Sequence, residues 1–452
     1  MKFKIQCALV ALLTISSPLA SARDLSLDEA IAMALTNNTE LRITQKGEDK
    51  AEASLREQKA NKRVKVTAGM SPRIGKSTDS ARSMSMGLGF TATYNIYDGG
   101  KHNLNLESKE IGVRSAVLTT QRQREKLKLD VIKAYYDAIE ARETKAVRLE
   151  TVNKYKAHLK DTSDLYGAGS KAKIDLLRAD VELTNAEENL ITAANGYEIA
   201  LTNLRNYINI DRNEVLNLTD KFVVTPFKTQ MSDCLTAAFQ NRKDLMVARY
   251  NLDQKELAVK SAKAAYLPTL DASVGVDPIN ATFEPDSKRT SSWDASLSAK
   301  WTVLDGGLIK AQVDNAIAER DEAKLNLEKQ EEAVDLALRQ AYMNMREAEE
   351  RLATTKTNVK KAEEESFIEF EKYRAGAGTM LEVVDAEEAL TRAKLNLILA
   401  EADYVKYQAE VENAMGIGLT DEEQIAARNM EMSIKETKVP KEEKVVRKGM
   451  RE

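Results

Sequence analysis

The chain has 452 residues, of which 43% are hydrophobic and 31% charged, with 7 prolines and 19 glycines. So few breaking residues in so long a chain favour long uninterrupted helices over many short elements. The formal net charge of −4 at pH 7 argues against a nucleic-acid partner.

Residues 1–22 are predicted to be a signal peptide, because Lys2 and Lys4 precede an apolar stretch at residues 8–15. Removing these two lysines changes the formal charge from −4 to −6. The exported part has no other apolar run of about 18 residues, so no membrane-spanning helix is expected. It keeps a single cysteine, Cys234, and therefore no intrachain disulfide is possible.

Two segments of the exported part resemble each other. Residues 166–193 and 373–400 match at 11 of 28 positions with a constant offset of 207. This similarity predicts an internal duplication. The predicted divisions are a first repeat at 23–210, a connector at 211–230, a second repeat at 231–420 and a charged, partly disordered tail at 421–452.

Each predicted repeat begins with one helix, which runs to about residue 62 in the first copy and to about residue 264 in the second. Two strands are predicted next, followed by a very long helix, a glycine-containing turn and another long helix. The same order in both copies is what a duplicated chain requires.

The second strand of each repeat is the clearest. Apolar and polar residues alternate strictly along residues 84–97 and again along 293–303, which places one set on each face of a strand. Residues 64–70 and 270–276 alternate more weakly and are predicted to be their hairpin partners. The pattern fits a soluble sandwich with one wet face as well as membrane strands of about ten residues.

The connections within these two hairpins, residues 71–83 and 277–292, are polar and contain proline, so they are predicted to be exposed loops. Four strands cannot close a barrel, and an open edge in lipid leaves backbone groups without partners. If the strands are membranous, several chains must therefore contribute, and three would give a twelve-stranded barrel.

Residues 101–165 contain no proline and predict a helix close to 100 Å long at about 1.5 Å per residue. Apolar residues follow a heptad-like seam in both copies. The seam residues are Leu127, Val131, Ala134, Ala138, Ala141, Leu149 and Val152, then Leu338, Ala341, Met345, Ala348, Leu352, Val359 and Ala362. Heptads alone would favour an ordinary coiled coil.

Short motifs join the strands to the helices. Each long helix follows an Asp-Gly-Gly turn, and each returns after a Tyr-x-Ala-Gly segment. The strand-to-helix turns are Asp98, Gly99 and Gly100 in the first copy and Asp305, Gly306 and Gly307 in the second. They are interpreted as turns rather than phosphate sites.

In these motifs, and in their repetition at one spacing, residues 25–419 resemble the TolC family of outer-membrane factors. The resemblance implies a homotrimer in the outer membrane. Its fold would be a mixed α and β membrane protein, in which four strands per chain form a twelve-stranded β-barrel and antiparallel helical hairpins form an α-barrel. It also implies a mixed equatorial belt that includes the connector. Two partners are implied as well, a periplasmic adaptor and an inner-membrane transporter.

The family closes its periplasmic end near the second helix turn, with acidic rings that bind cations. By position, Tyr373 matches the gate tyrosine, Glu382 and Asp385 match the two acidic-ring positions, and Asp175 matches the acidic gate residue of the first copy. Glu382 and Asp385 are three residues apart, so they share a helix face. The alternative is that they are solvated surface carboxylates.

Two positions depart from the family pattern. Gly378 stands where the best-known member has an arginine, and Ile174 where it has a threonine, so that member's tyrosine–arginine latch is in question here. The glycines of the two helix turns predict helix C-caps, and the resemblance adds a contact surface for the adaptor. These glycines are Gly167, Gly169, Gly376 and Gly378.

The sequence offers no pattern of a catalytic, metal or cofactor site. The two histidines, His102 and His158, lie on the same predicted helix, too far apart to meet. The leading hypothesis is a passive exit duct, for protein secretion of the one-step type (type I) or for efflux of small toxic compounds. The alternative is a periplasmic or surface coiled-coil protein without a pore.

Overall fold

The computed structural model describes residues 23–75, 83–282 and 290–418. The predicted signal peptide and the predicted charged tail therefore lie outside the described residues. The elements in chain order are β1 (Arg23–Leu25), α1 (Leu27–Asn37), α2 (Thr39–Ala60), β2 (Lys65–Gly75), β3 (Ser83–Tyr97), α3 (Lys101–Gly167), α4 (Lys173–Ile208), β4 (Leu216–Leu218), α5 (Met231–Asn241), α6 (Lys243–Lys263), β5 (Thr269–Thr282), β6 (Thr290–Lys300), α7 (Leu308–Arg374) and α8 (Met380–Ala414).

Two helices, two strands and two longer helices occur twice in the same order, which confirms the duplication. The longest helices, α3 and α7, have 67 residues each and so extend about 100 Å. Each packs along the helix that follows it, forming the hairpins α3/α4 and α7/α8. No proline interrupts either long helix, and α3 continues through Gly112 without a break.

Helix α2 continues along α3 from the point where α4 ends. The Asn38 side-chain amide donates to the carbonyl of Tyr207 near the end of α4, at 3.1 Å. At the other end of α2, the side-chain nitrogen of Gln58 lies 3.2 Å from Nδ1 of His102, at the start of α3. One long helix is thus covered by two shorter ones placed end to end.

The prediction of a single first helix in each repeat is wrong, because both are broken into two. Asn38 has extended backbone angles, and its side chain accepts a hydrogen bond from the amide of Leu41 at 3.1 Å. Arg242 is also extended, and its guanidinium contacts Asp244 two residues later. At Asn38 the side-chain hydrogen bond to the Leu41 amide compensates for helical hydrogen bonds that are lost at the break.

The strands form one antiparallel sheet in the order β2-β3-β5-β6, so each predicted hairpin is confirmed. Pairing of β3 with β5 joins the two repeats and places Phe90 opposite Val276. A second, two-stranded sheet pairs β1 with β4 in parallel, with Arg23 opposite Leu216. These two short strands were not predicted.

Two predicted loops are partly wrong, because strand structure continues into them. Strand β2 runs through Pro72 to Gly75, and β5 runs through Pro278 to Thr282. Proline lacks the amide hydrogen that a central ladder position needs. Pro72 lies on β2, which is an edge strand of the described sheet and pairs only with β3. Pro278 lies where the pairing of β5 with β6 shifts register, between Asp277 and Asn280. The remainder of both loops, residues 76–82 and 283–289, is outside the described residues.

One face of the large sheet is apolar across all four strands. The pairing register aligns its residues in rows, of which one is Ala68, Phe90, Val276 and Trp293. Trp293 is 77% exposed and Leu297 is 67% exposed, and no other described element packs over this face. A soluble sandwich would instead bury such a face against a second sheet.

The opposite face of the sheet is polar. One of its rows is Thr93, Ser273 and Ser296, in which the two serine hydroxyls are 2.7 Å apart. In a neighbouring row the side-chain amide of Asn95 donates to Asp271 at 2.8 Å. The sheet therefore separates an apolar side from a side suited to water.

The main hydrophobic core lies where α1, the connector and α3 meet. The hydroxyl of the fully buried Tyr135 lies 2.9 Å from both the carbonyl of Leu25 and the carboxylate of Asp220, which ties the connector to α3. Most of the predicted seam is buried, but Leu149 is 48% exposed and that assignment is wrong. The seam runs instead through half-buried Arg148 to Val152. Within the described ranges no helix is both long and apolar enough to cross a membrane.

Candidate functional site

The two helix turns, at residues 168–172 and 375–379, lie side by side at the end of the hairpins farthest from the sheet, and we call this region the turn end. In the first turn the amide of Gly169 donates to the carbonyl of Tyr166 at 2.9 Å, and the amide of Ser170 donates to Leu165, also at 2.9 Å. This is the Schellman arrangement for ending a helix.

The second turn repeats this geometry. The amide of Gly376 donates to the carbonyl of Tyr373 at 3.1 Å, and that of Ala377 donates to Lys372 at 2.9 Å. Gly169 and Gly376 both have φ of 75°, a left-handed conformation that only glycine adopts without strain. The duplication therefore extends to the backbone hydrogen bonds of both turns.

The other two glycines of the turns play different parts. Gly167 is the last residue of α3, and a Cβ atom there would meet nothing within 4 Å. At Gly378 a Cβ would come within 3.2 Å of both the Lys372 side chain and the amide nitrogen of Tyr373. Gly378 thus allows the chain entering α8 to pass close to the end of α7.

Tyr373 lies between the two hairpins. Its side chain is 2% exposed and packs in a cluster with Val152 and Tyr155 of α3 and Val383 of α8. Its hydroxyl lies 3.3 Å from that of Thr162, which is itself fully buried. Burial raises the pKa of the Tyr373 phenol above its ordinary value. The phenol is therefore neutral and serves as a hydrogen-bonding group at neutral pH.

Charged groups of the first repeat also approach Tyr373. The ammonium of Lys171 lies 4.0 Å from the centre of the tyrosine ring, a cation–π contact. Asp175 is half-buried in the first turn of α4, and its charge contributes to the raised pKa of the Tyr373 phenol. Of the four gate residues suggested by sequence, Tyr373 and Asp175 are thus brought together within one chain.

Glu382 and Asp385 are exposed on α8 instead. The Glu382 carboxylate accepts from the amide of Thr379 at 2.7 Å, while the Thr379 hydroxyl accepts from the amide of Glu382 at 3.3 Å. These reciprocal bonds form a capping box at the start of α8. The bonds that Thr379 donates to the carboxylate, from its amide and from its hydroxyl, lower the pKa of Glu382. A cation ligand at this position would therefore also be a helix cap.

The Asp-Gly-Gly segments form the strand-to-helix turns. Asp98 accepts from the amides of Gly100 at 3.1 Å and His102 at 2.8 Å. Asp305 does the same with Gly307 at 2.9 Å and Ile309 at 2.7 Å, and these bonds lower the pKa of its carboxyl. All four glycines have positive φ, between 66° and 92°: Gly99, Gly100, Gly306 and Gly307. The carboxylates of Asp98 and Asp305 thus accept hydrogen bonds from amides at the starts of α3 and α7.

A buried ionic cluster near the turn end was missed by the sequence analysis. Glu387 of α8 is 4% exposed, and its carboxylate accepts from the ammonium of Lys154 at 3.1 Å and from the hydroxyl of Ser366 at 2.5 Å. Nε2 of His158 is 3.9 Å away. Burial alone would raise the pKa of Glu387, but contacts with these three side chains lower it to about 2.

A signal for this cluster exists in the sequence. Glu387 follows Val383 by four residues and precedes Leu390 by three, so a charge stands on the apolar face of an amphipathic helix. Such a charge has to be paired when the face is buried. The pairing partner could not be identified, because Lys154 is 233 residues away.

An exposed sheet with one apolar and one polar face, continued by two very long helical hairpins, defines a membrane channel subunit rather than a soluble coiled coil. The sequence matches the outer membrane efflux protein family over residues 30–209 and 234–417. The chain belongs to this family. It is a channel-forming protein of the outer membrane with a large periplasmic helical part, and it is an exit duct, not an enzyme.

Individual relatives are distant in sequence. The outer membrane protein TolC of Escherichia coli is 24% identical over 349 residues, which are 75% of this chain and 70% of TolC. The outer membrane efflux protein BepC of Brucella suis is 18% identical, covering 86% of this chain and 85% of BepC. The solved structure of the Campylobacter jejuni CmeC outer membrane channel has the same fold, with a TM-score of 0.79, 17% identity and 90% coverage of both chains.

Proposed function

We propose that this chain forms a homotrimeric duct whose strands close a twelve-stranded barrel and whose helical hairpins form a tunnel into the periplasm. The observation that carries the proposal is the amphipathic sheet with two free edges. Among the described residues, β2 pairs only with β3 and β6 pairs only with β5. In lipid these edges need partners, and identical chains supply them when β6 of one copy meets β2 of the next.

The helices support the same assembly. Helix α4 carries an apolar stripe that no described element covers, comprising Ile174, Leu177, Val181, Ile191 and Ile199, all at least 50% exposed. Helix α7 carries a second set, comprising Leu325, Leu336, Met343 and Phe367, all at least 56% exposed. Apolar area of this kind is stabilised when a neighbouring copy covers it. Contacts between α4 and α7 of adjacent copies would close the tunnel wall.

The turn end is proposed to be the gate and the surface that the periplasmic adaptor contacts. Tyr373 and Asp175 would hold the hairpins of one chain together, while Glu382 and Asp385 of three chains would form rings of negative charge around the axis. Such rings attract cations in a narrow passage. With Gly378 at the arginine position, closure would depend on Tyr373 and Thr162 of the same chain rather than on a tyrosine–arginine pair.

The transported compounds are proposed to be either small toxic molecules or secreted proteins, delivered by an inner-membrane transporter through the adaptor. BepC is named as an efflux protein, and the matching family carries the same description. This favours efflux of small molecules as the first activity to test. The energy would come from the transporter, since the duct itself is passive.

The assembly is tested by purifying the full chain in detergent, measuring its mass by light scattering and recording conductance in planar bilayers. A trimer that conducts ions is expected. A monomer that remains folded in buffer without detergent would overturn the trimeric barrel. A strain lacking the gene, tested for accumulation of small toxic compounds and of secreted proteins, separates the two substrate classes.

A further inference from the structure

Three helices are held together by the buried cluster around Glu387. Lys154 and His158 come from α3, Ser366 from α7 and Glu387 from α8, and we call these four residues the clasp. The clasp therefore joins the first hairpin to both helices of the second. Any motion that separates the second hairpin from α3 at the turn end must break it.

His158 is the member of the clasp that makes no hydrogen bond to the described residues. It is 6% exposed, and neither of its ring nitrogens has a hydrogen-bond partner among the described residues. Its ring packs edge-on against Phe370, with ring centres 4.4 Å apart, and lies 6.1 Å from Tyr155. A buried polar atom without a partner is costly, and the carboxylate that lies near Nε2 is that of Glu387.

Charged groups surround His158. A groove of about 400 Å³ at the clasp is lined by the carboxylates of Glu150, Glu363 and Glu387 and by the ammonium groups of Lys154 and Lys394. Three negative and two positive charges leave a balance of −1 while the imidazole is neutral, and of 0 once it is protonated. Two of these carboxylates share one lysine, because Lys394 lies 2.9 Å from Glu150 and 3.7 Å from Glu363.

We propose that the clasp is a proton-dependent lock, in which protonated His158 forms an ion pair with Glu387 and holds the second hairpin against α3. Their nearest atoms are 3.9 Å apart, so a shift of less than about 1 Å reaches hydrogen-bond distance. Protonation of His158 would then stabilise the packed, closed turn end, and loss of that proton would weaken it. This inference rests on the proposed gating at the turn end.

The chain provides its own matched control, because it has only two histidines. His102 lies at the opposite end of α3, next to the strand-to-helix turn, and its Nδ1 is 3.2 Å from the side chain of Gln58. His158→Gln removes the titrating group of the clasp, and His102→Gln removes the other one. Glu387→Gln leaves His158 in place but removes the carboxylate it would bind.

The test is the open fraction of the full-length protein in planar bilayers, recorded between about pH 5 and pH 8, where histidine titrates. For the unchanged protein the open fraction should fall with acid. The closing equilibrium should change by up to tenfold for each unit by which the histidine pKa differs between the locked and released states. His102→Gln should behave the same way, and His158→Gln should lose this response.

Each outcome bears on a different claim. An acid response of equal size in His158→Gln and in the unchanged protein would assign it to other groups, such as the exposed Glu382 and Asp385, and would overturn the lock while leaving the duct intact. Absence of conductance at every pH would contradict the duct itself. If His158→Gln fails to fold, Glu387→Gln decides: without the carboxylate that His158 would bind, the acid response should be lost, and an unchanged response would overturn the lock.

Discussion

The hydroxyl of Tyr373 lies 3.3 Å from the hydroxyl of Thr162, and this contact joins the turn of the second hairpin to the long helix of the first. Both residues are almost completely buried, so the contact is shielded from solvent. It connects two helices of one chain, 211 residues apart. If the turn end is the gate as proposed, this contact would contribute to its closure within a single subunit.

Tyr373→Phe should destabilise the turn end while keeping its packing. The change removes one hydroxyl and leaves that of Thr162 without this partner, at a cost of about 1–3 kcal/mol. The free energy of unfolding in detergent and the open fraction in bilayers measure the effect. Tyr166→Phe is the control, because Tyr166 is 41% exposed and its change should be neutral. Equal effects of the two substitutions would show that the buried contact contributes nothing.

Glu382 is expected to have two separable functions. Glu382→Gln keeps a capping-box side chain but removes the charge, whereas Glu382→Ala removes both. Block of conductance by divalent cations should weaken severalfold in both variants, and only the alanine variant should also lose helical stability. Because the pKa of Glu382 is lowered, its contribution to the cap should persist at neutral pH and decline only in acid. Unchanged block in Glu382→Gln would exclude this residue from the cation site.

Equivalent glycines of the two repeats should differ in tolerance. Gly99 and Gly306 both have positive φ, but a Cβ at Gly99 would lie 2.7 Å from the carbonyl oxygen of Ala264, while Gly306 has open space around it. Gly306→Ala should cost about 1–2 kcal/mol for the left-handed backbone alone. Gly99→Ala should cost clearly more, because the backbone must also move. Thermal unfolding of the two variants tests this order, and equal losses would contradict it.

The ion pair of Glu387 should dominate stability in acid. Its pKa is about 2 against an ordinary value of 4.5, so its contribution is complete above about pH 4.5 and is lost as the pH falls towards 2. This difference in pKa corresponds to about 3 kcal/mol. Glu387→Gln should lose a comparable amount at pH 7 and flatten the acid branch of the stability curve.

The neighbouring Glu388 is the matched control for that experiment, since it is exposed. Glu388→Gln should change the free energy of unfolding by less than about 0.5 kcal/mol. This acid window lies below the range in which histidine titrates, so the stability of the ion pair and the proposed proton-dependent lock can be measured independently in one protein.

The features predicted correctly from sequence all have a periodic or repeated local signal. Alternation identified β3 and β6, the absence of proline identified α3, the heptad-like seam of the second copy identified α7, and the Asp-Gly-Gly segments identified where strands become helices. Breaks inside a helical pattern were missed. Asn38 and Arg242 look like ordinary helix residues, and each ends a helix through a contact with a neighbour a few residues away.

Features that depend on distant residues could not be read from the sequence. The pairing of β1 with β4 and of β3 with β5 brings together segments more than 170 residues apart, without a local signal. The partners of Glu387 are equally remote. At the turn end, sequence indicated Tyr373 and Asp175, but their burial beside Thr162 and Lys171 follows from how the two hairpins pack.

The pairing of β3 with β5 also sets the order of events during biogenesis. The central ladder of the sheet needs a strand from each repeat, as in the contact between Asn95 and Asp271. A nascent chain that has delivered only its first repeat to the periplasm therefore holds an isolated two-stranded ribbon, which is marginal by itself. The helical hairpin α3/α4 is local and can form early, whereas the four-stranded sheet can form only once the second repeat is available.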